Sequence, residues 1–254
     1  MPNLEFQTLR FDSLPSTNIE AARRARAGGA EGLCIVASEQ TAGRGRLGRH
    51  WLSARKAGLY CSTLLRPQFD QNMWPVITLM SAVVVHEALL AACALQTDIK
   101  WPNDILHDEK KLCGILAEVV ETPTGRAVIV GIGINLANNS FPPELRATAT
   151  SVSAANGRPA DLEQVLTKLQ ECFVNWYSQL NRPHGADEIV AAWSQRSSYA
   201  EGKEIVIKDA DTEFRGTTRG LTGQGALRVE TDTGEVRIVR AGDVSLRSLT
   251  SNYG

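Results

Sequence analysis

The sequence lacks the features that commit a chain to a membrane, to a disulfide framework or to polyanion binding through global charge. Lys plus Arg number 27 against 28 Asp plus Glu, a net of −1, so any basic function must be local. Five cysteines, at 34, 61, 93, 113 and 172, form an odd set without close pairs. That spacing argues against a disulfide framework or zinc ribbon and fits reduced thiols in the cytoplasm. The opening MPNLEFQTLRFD has no basic-then-apolar pattern, so it does not read as a signal peptide. The longest apolar stretch, Val76 to Leu95, carries His86 and Glu87 within a Ser- and Ala-rich helical pattern, and so reads as a core helix rather than a membrane span. There is no Gly-Lys-Ser/Thr phosphate loop and no Gly-x-Ser-x-Gly elbow. His50, His86, His107 and His184 lack metal-ligand spacing, so no resident metal is expected.

What is present is ordinary globular material: 254 residues, 43% apolar and 22% charged, enough for one large domain or one with a small appendage. Leu4 to Phe11 alternates like a half-buried strand, and Thr17-Asn18-Ile19-Glu20 spells a capping box opening a helix that Gly28-Gly29 would stop. Strands are predicted at Leu33–Ala37 and Leu59–Leu65, then a long helix over Trp74–Leu95, and strands near Ile99–Trp101, Lys111–Val120 and Ala127–Leu136. Ala137 to Ser153 has no clear period and reads as a long loop that could order over a ligand. Helices at about 161–180 and 186–196 follow. Beyond Ser197 the pattern becomes short glycine-punctuated strands, including Glu204–Ile207, Glu213–Thr218, Ala226–Glu230 and Val236–Val239, expected to form a small β-barrel.

The most unusual segment is Gly43-Arg44-Gly45-Arg46-Leu47-Gly48-Arg49-His50-Trp51. Its glycines could leave N–H groups pointing inward as an anion nest, and its guanidinium forks suit phosphate oxygens. A solvated basic turn is the bland alternative. The same letters satisfy G-x-G-x-x-G, but a dinucleotide loop needs a strand close before it and a helix after it, and neither is evident. Lys100-Trp101-Pro102-Asn103-Asp104 sets a cation, a large aromatic, two hydrogen-bonding groups and a carboxylate around a proline; its last three residues could equally be only a turn. In KLCGILAE, Lys111 introduces an apolar strand in which Gly114 could admit a ligand. The paired glycines of Gly131-Ile-Gly133-Ile-Asn135 could admit a flat ligand or relieve crowding at a bulge.

Together and in this order, SerThrAsn at 16–18, Gln40, GRGRLGRHW, KWPND, KLCGILAE and GIGIN resemble the biotin-protein ligases, and GDVSLRS resembles their carboxy-terminal domain. The resemblance covers most of the chain. It implies an α+β fold, a mixed sheet flanked by helices of the class II synthetase and biotin/lipoate ligase kind over 1–198, with an SH3-like barrel over 199–254. It implies an enzyme that joins biotin to ATP, with Mg2+ as activating ion, forming biotinyl-5'-AMP, and then biotinylates a lysine of a biotin carboxyl carrier protein. By resemblance, Ser16, Thr17, Asn18, Gln40, Gly43, Arg44, Gly45, Arg46, Lys111 and Gly114 would surround biotin. Arg44, Arg46, Arg49, Trp51, Asn103, Lys111 and Asn135 would serve the nucleotide or its metal, and Arg46, Lys111 and Asp104 the chemistry. Leu47 stands where some relatives are basic. Only fifteen residues precede Ser16, so the short form without a DNA-binding domain is expected, acting on no DNA or membrane, as monomer or homodimer. A lipoate ligase, or a biotin-responsive regulator or carrier-binding module without turnover, are the alternatives.

Overall fold

The computed structural model describes residues 4–137, 141–208, 213–240 and 242–246. Its first unit is a seven-stranded sheet built from β1 (Gln7–Phe11), β2 (Leu33–Ala37), β3 (Gly58–Leu65), β4 (Asp98–Lys100), β5 (Asp104–His107), β6 (Lys110–Thr122) and β7 (Gly125–Asn135). The strand order is β1-β2-β3-β7-β6-β5-β4; β1 and β2 run parallel and every other neighbour antiparallel, so the sheet is mixed as expected.

Alternation along the strands sorts side chains to two faces. One face packs α2 (Pro75–Cys93), α4 (Leu162–Leu180) and α5 (Gly185–Gln195) over Val36, Leu59, Cys61, Ile115, Val130, Ile132 and Ile134. Helix α2 is long and apolar enough to cross a membrane by length and composition, yet most of it is buried in this core, which explains why its apolar residues show no single stripe. The opposite face packs α1 (Thr17–Arg26) through Ala21 and Ala25 onto Leu33, Ile35, Leu64 and Ile129. Helix α1 covers only part of that face, and the remainder is open to the site described below.

Several local expectations are corrected. The first strand begins at Gln7, not Leu4. The capping box does not form: Ser16 is the N-cap and makes no side-chain cap bond, Thr17 is already helical, and Glu20 is drawn instead to Arg23 and Arg24. Asp104 begins a strand of its own, β5, which the Pro-Asn-Asp turn pattern concealed. Of the long loop, residues 138–140 lie outside the described set. The rest contains a 3-10 turn at Pro143–Leu145, and the short helix α3 (Val152–Asn156), capped by Ser151, begins within its last residues. It is strapped to the sheet by two backbone bonds: Lys111 N–H to Thr148 O, 2.8 Å, and Thr150 N–H to Lys111 O, 2.9 Å.

The second unit is a five-stranded antiparallel sheet, β8 (Glu201–Lys208), β9 (Glu213–Leu221), β10 (Leu227–Thr231), β11 (Val236–Val239) and β12 (Asp243–Leu246), in the order β11-β10-β9-β8-β12. Among the described residues β11 and β12 do not pair, so the sheet is open there and closure into a barrel is not seen. The end of GDVSLRS, Arg247 and Ser248, lies outside the described residues. Trp101 ties the two units together, its Nε1 donating to Gly225 O at 3.0 Å. The KWPND aromatic therefore faces the second sheet and not the candidate site.

Candidate active site

The floor of the site is set by strand register. Directly opposed residues point to the same face, so one row runs Tyr60, Gly133, Gly114, Asp104, Lys100 across five strands, and the next runs Ser62, Gly131, Leu116. Register is regular through both glycines of GIGIN, which excludes a bulge there. They admit side chains instead: a Cβ on Gly131 would lie 2.1 Å from Asn18 Oδ1, and one on Gly133 would lie 2.4 Å from Trp51 Nε1. Lys111 joins this face because a bulge falls between Ile105 and Leu106, opposing Cys113 and Lys111 in turn. Leu112 and Cys113 both enter the core, and the register shift turns Lys111 to the open side.

The glycine-arginine segment forms a hairpin-like flap above the floor. Gln40 N–H bonds Ser53 O, Trp51 N–H bonds Gly43 O and Gly45 N–H bonds Arg49 O at 2.7 Å, while the tip turns through Leu47, at φ 54°, and Gly48. The Gly45 N–H is spent inside the flap and is not available to an anion nest. Gly43 is required by close approach, since a Cβ there would stand 2.3 Å from Trp51 O, and it does not line the cavity. The cavity is walled by Ser16, Thr17, Asn18, Gln40, Arg44, Gly45, Arg46, Arg49, Trp51, Asn103, Asp104, Lys111 and Gly114, so the two segments expected to converge do so. A neighbouring cavity shares His50, Trp51, Asp104 and Lys111 and is completed by Lys100, Asn135, Phe141 and Leu145. Asn135, expected near the nucleotide, lines this second cavity, and its Nδ2 donates to Thr150 O.

One end of the first cavity is a chain of polar groups. Gln40 Oε1 accepts from Thr17 N–H at 2.8 Å and stands 3.1 Å from Thr17 Oγ1, while its Nε2 donates to Ser53 Oγ. The fully buried Ser62 hydroxyl sits 2.7 Å from Thr17 Oγ1 and 2.6 Å from Asn18 Oδ1. Asn18 Nδ2 donates to Glu118 Oε2 at 2.7 Å, and Glu118 Oε1 pairs with Arg44 at 2.9 Å. The other end is cationic. Lys111 Nζ pairs with Asp104 Oδ1 at 2.7 Å and lies 5.4 Å from the centre of the Trp51 ring, while Arg46 donates to Asn103 Oδ1 at 3.1 Å. Burial pulls the Arg46 and Lys100 pKa values below the ordinary range of their groups, with nearby Asp104 and Asp243 opposing the shift. Arg49 pairs with Asp243 on β12, so the second sheet contributes a carboxylate to the site. Trp51 Nε1 is buried without a partner.

Sequence reasoning missed Ser62, Asp243 and the role of Glu118. Glu118 stood in plain view within KLCGILAE, two alternations from Leu116, but facing direction needed the register. Among the described residues no group of three His, Cys, Asp or Glu side chains is close enough to hold a metal ion.

The Biotin/lipoate A/B protein ligase family matches residues 4–135, and the Biotin protein ligase C terminal domain matches residues 202–247. The chain belongs to the biotin/lipoate A/B protein ligase family. Among its relatives in that family, the bifunctional ligase/repressor BirA of Bacillus spizizenii is 39% identical over 240 residues, covering 92% of this chain and 72% of BirA. The biotin–[acetyl-CoA-carboxylase] ligase of Paracoccus denitrificans is 35% identical over 90% of this chain and 96% of its own. The solved biotin protein ligase from Aquifex aeolicus in complex with biotin and ATP superposes with a TM-score of 0.83 at 29% identity, covering 95% of this chain and 98% of that one.

Proposed function

We propose that the chain is a biotin-[acetyl-CoA-carboxylase] ligase that makes biotinyl-5'-AMP and transfers biotin to a lysine of a biotin carboxyl carrier protein in the cytoplasm. The observation that carries this reading is one cavity with a polar end and a cationic end, joined through their shared wall of Trp51, Asp104 and Lys111 to a second cavity. The ureido ring of biotin would sit among Ser16, Thr17, Asn18 and Gln40. Buried donors and acceptors must be matched there, because each unpaired polar group costs about 1–3 kcal/mol. The biotin carboxylate would meet Lys111, and the phosphates Arg44, Arg46 and Arg49, with Asn103 holding the Arg46 fork. The adenine would enter the second cavity beside Trp51, Asn135 and Phe141.

In the first step a carboxylate oxygen attacks the α-phosphorus, the bond to the β-phosphate oxygen breaks and pyrophosphate leaves. In the second, the carrier amine attacks the acyl carbon, AMP leaves, and Asp104 orients the amine and its proton. No enzyme nucleophile is needed; positioning and preset charge do the work. Magnesium would supply neutralisation of the phosphate charge, with Asn103 and Asn135 as the side chains that would meet it or its water. The match of residues 202–247 supports a division at 1–198 and 199–254, with the second unit as the family's SH3-like domain. The test is labelled biotin with ATP, magnesium and a carrier domain, with lipoate as control. Biotin-dependent pyrophosphate release and carrier labelling are expected; biotin binding without turnover would leave a binding module, and turnover on lipoate alone would reject biotin.

A further inference from the structure

We propose that Glu118 is a positioning residue that sets biotin affinity, by fixing the Asn18 amide and tethering the flap through Arg44. The inference rests on the biotin reading above. Glu118 lies on the same sheet face as Gly114 and Leu116, just outside the cavity wall, so it acts on the site only through the groups it holds.

Both carboxylate oxygens are engaged, Oε2 chiefly by Asn18 and Oε1 by Arg44, whose other guanidinium nitrogen also reaches Oε2 at 3.4 Å. Oε2 accepts from Asn18 Nδ2 at 2.7 Å, and Leu116 O accepts from the same nitrogen at 3.2 Å. Asn18 is 5% exposed, so an amide turned the other way would set its oxygen against two acceptors in a place water barely reaches. The carboxylate therefore fixes Asn18 Oδ1 toward the Ser62 hydroxyl. A hydroxyl has one proton to give. Ser62 presents it to Asn18 Oδ1 and Thr17 Oγ1, and the Thr17 hydroxyl donates onward to Gln40 Oε1, which also accepts from the Thr17 N–H. One half-buried carboxylate thus fixes the amide that heads the chain of donors and acceptors at the polar end of the cavity, the pattern a buried urea reads.

Oε1 meets Arg44 at 2.9 Å. Arg44 opens one arm of the flap, bridged to His50 in the other arm. Arg46 and Arg49 tie the flap tip to Asn103 and to β12, so the Glu118 pair is what joins the biotin side of the flap to the sheet. Lys111 and the Arg46–Asn103 contact do not touch Glu118, so losing Glu118 should weaken biotin binding more than activation, with any loss in ATP use passing through Arg44.

The experiment is biotin titration calorimetry and steady-state adenylation on the full chain carrying Glu118→Ala, Glu118→Gln, Arg44→Gln and the Glu118→Ala/Arg44→Gln pair. Losing a hydrogen-bonded charge should raise the biotin Kd and KM of Glu118→Ala by roughly 10- to 100-fold. The kcat at saturating biotin should stay within about threefold and the ATP KM should rise much less than the biotin KM, a split that a general loss of structure would not give. Glu118→Gln, which can still accept from Asn18, should fall between, and Arg44→Gln should add little on the Glu118→Ala background. If Glu118→Ala does not fold, as judged by circular dichroism, Glu118→Gln and its cycle with Arg44→Gln carry the test. A wild-type biotin Kd in the Glu118 variants, equal losses in biotin KM, ATP KM and kcat, or full additivity with Arg44→Gln would overturn the proposal. A wild-type chain that does not bind biotin overturns the functional reading as well.

Discussion

Replacing Gly133 by alanine tests whether the indole of Trp51 has its working seat on the sheet. Gly133 has no positive φ and sits in regular register, so its backbone accepts an L residue. The obstacle is steric: the new methyl would lie 2.4 Å from Trp51 Nε1, 2.6 Å from Cε2 and 3.0 Å from Cζ2. Three atoms of one rigid ring cannot yield by a rotamer flick, and ordinary contact requires the whole indole to move by about 1 Å. Overpacking of this kind costs about 1–3 kcal/mol, offset by roughly 0.4–1 kcal/mol from the stiffer unfolded chain. Gly114→Ala is the internal comparison, because its methyl comes no nearer to Trp51 than 3.0 Å, at Cζ3, and its next neighbours are the flexible end of Lys111, at 3.3 and 3.4 Å. Thermal unfolding should place Gly133→Ala clearly below wild type and Gly114→Ala close to it. Since a displacement of about 1 Å near reacting groups can cost up to roughly 100-fold in rate, biotin-dependent pyrophosphate release should fall in the same order. Equal melting temperatures and equal rates for Gly133→Ala and wild type would refute the reasoning, because Trp51 would then have no stake in that seat.

Lys111→Ala should reduce adenylate formation by about 100-fold or more, while urea unfolding changes little because the Lys111–Asp104 pair is partly open to water; an unaffected rate would remove Lys111 from the site. Asp243→Ala breaks a pair whose side chains are 64% and 33% exposed. Denaturation should register about 0–1 kcal/mol for it, and a larger loss would mean that β12 is held to the flap by more than charge. Glu20 is held down to about 2 from 4.5, first by its hydrogen bond from Arg23 and then by Arg24, against a cost of burial. A depressed carboxyl pKa stabilises the fold above the unfolded value and loses that contribution as pH falls from 4.5 toward about 2. Glu20→Gln should therefore melt lower than wild type at neutral pH, with the gap closing in that acid window.

The sequence made the periodic elements readable and left direction hidden. Helices α2 and α4, the β6–β7 pair and the short strands after Ser197 all announce themselves through apolar spacing and glycine punctuation. The motifs around Gln40, Arg46, Asn103 and Lys111 were legible as chemistry through their order along the chain, since singly such residues are ordinary surface. What spacing could not give is which way a side chain points. Lys111 reaches the site only through a one-residue bulge, and by plain alternation from Cys113 it would enter the core. Trp101, a large aromatic within the KWPND motif, serves the joint between the sheets. The glycines of the flap read as anion contacts, yet Gly43 answers to the carbonyl of Trp51. Thr17 and Glu20 looked like a helix cap; the geometry of Gln40 and the arginines claimed both side chains first.

The β6–β7 pairing carries a further consequence. Gly114, Leu116, Gly131 and Gly133 face the ligand side, whereas Ile115, Ile132 and Ile134 lie between them on the core side. A slip of one residue exchanges the two sets, filling the binding hollow with branched aliphatics and leaving holes beneath α2. The hollow is therefore only as well defined as the alignment of one ribbon, pinned by β3 along its outer side and by the Ile115 N–H to Asn103 O bond on the other. Selection for a place to hold a small molecule and selection against misaligned folding fall here on the same glycines.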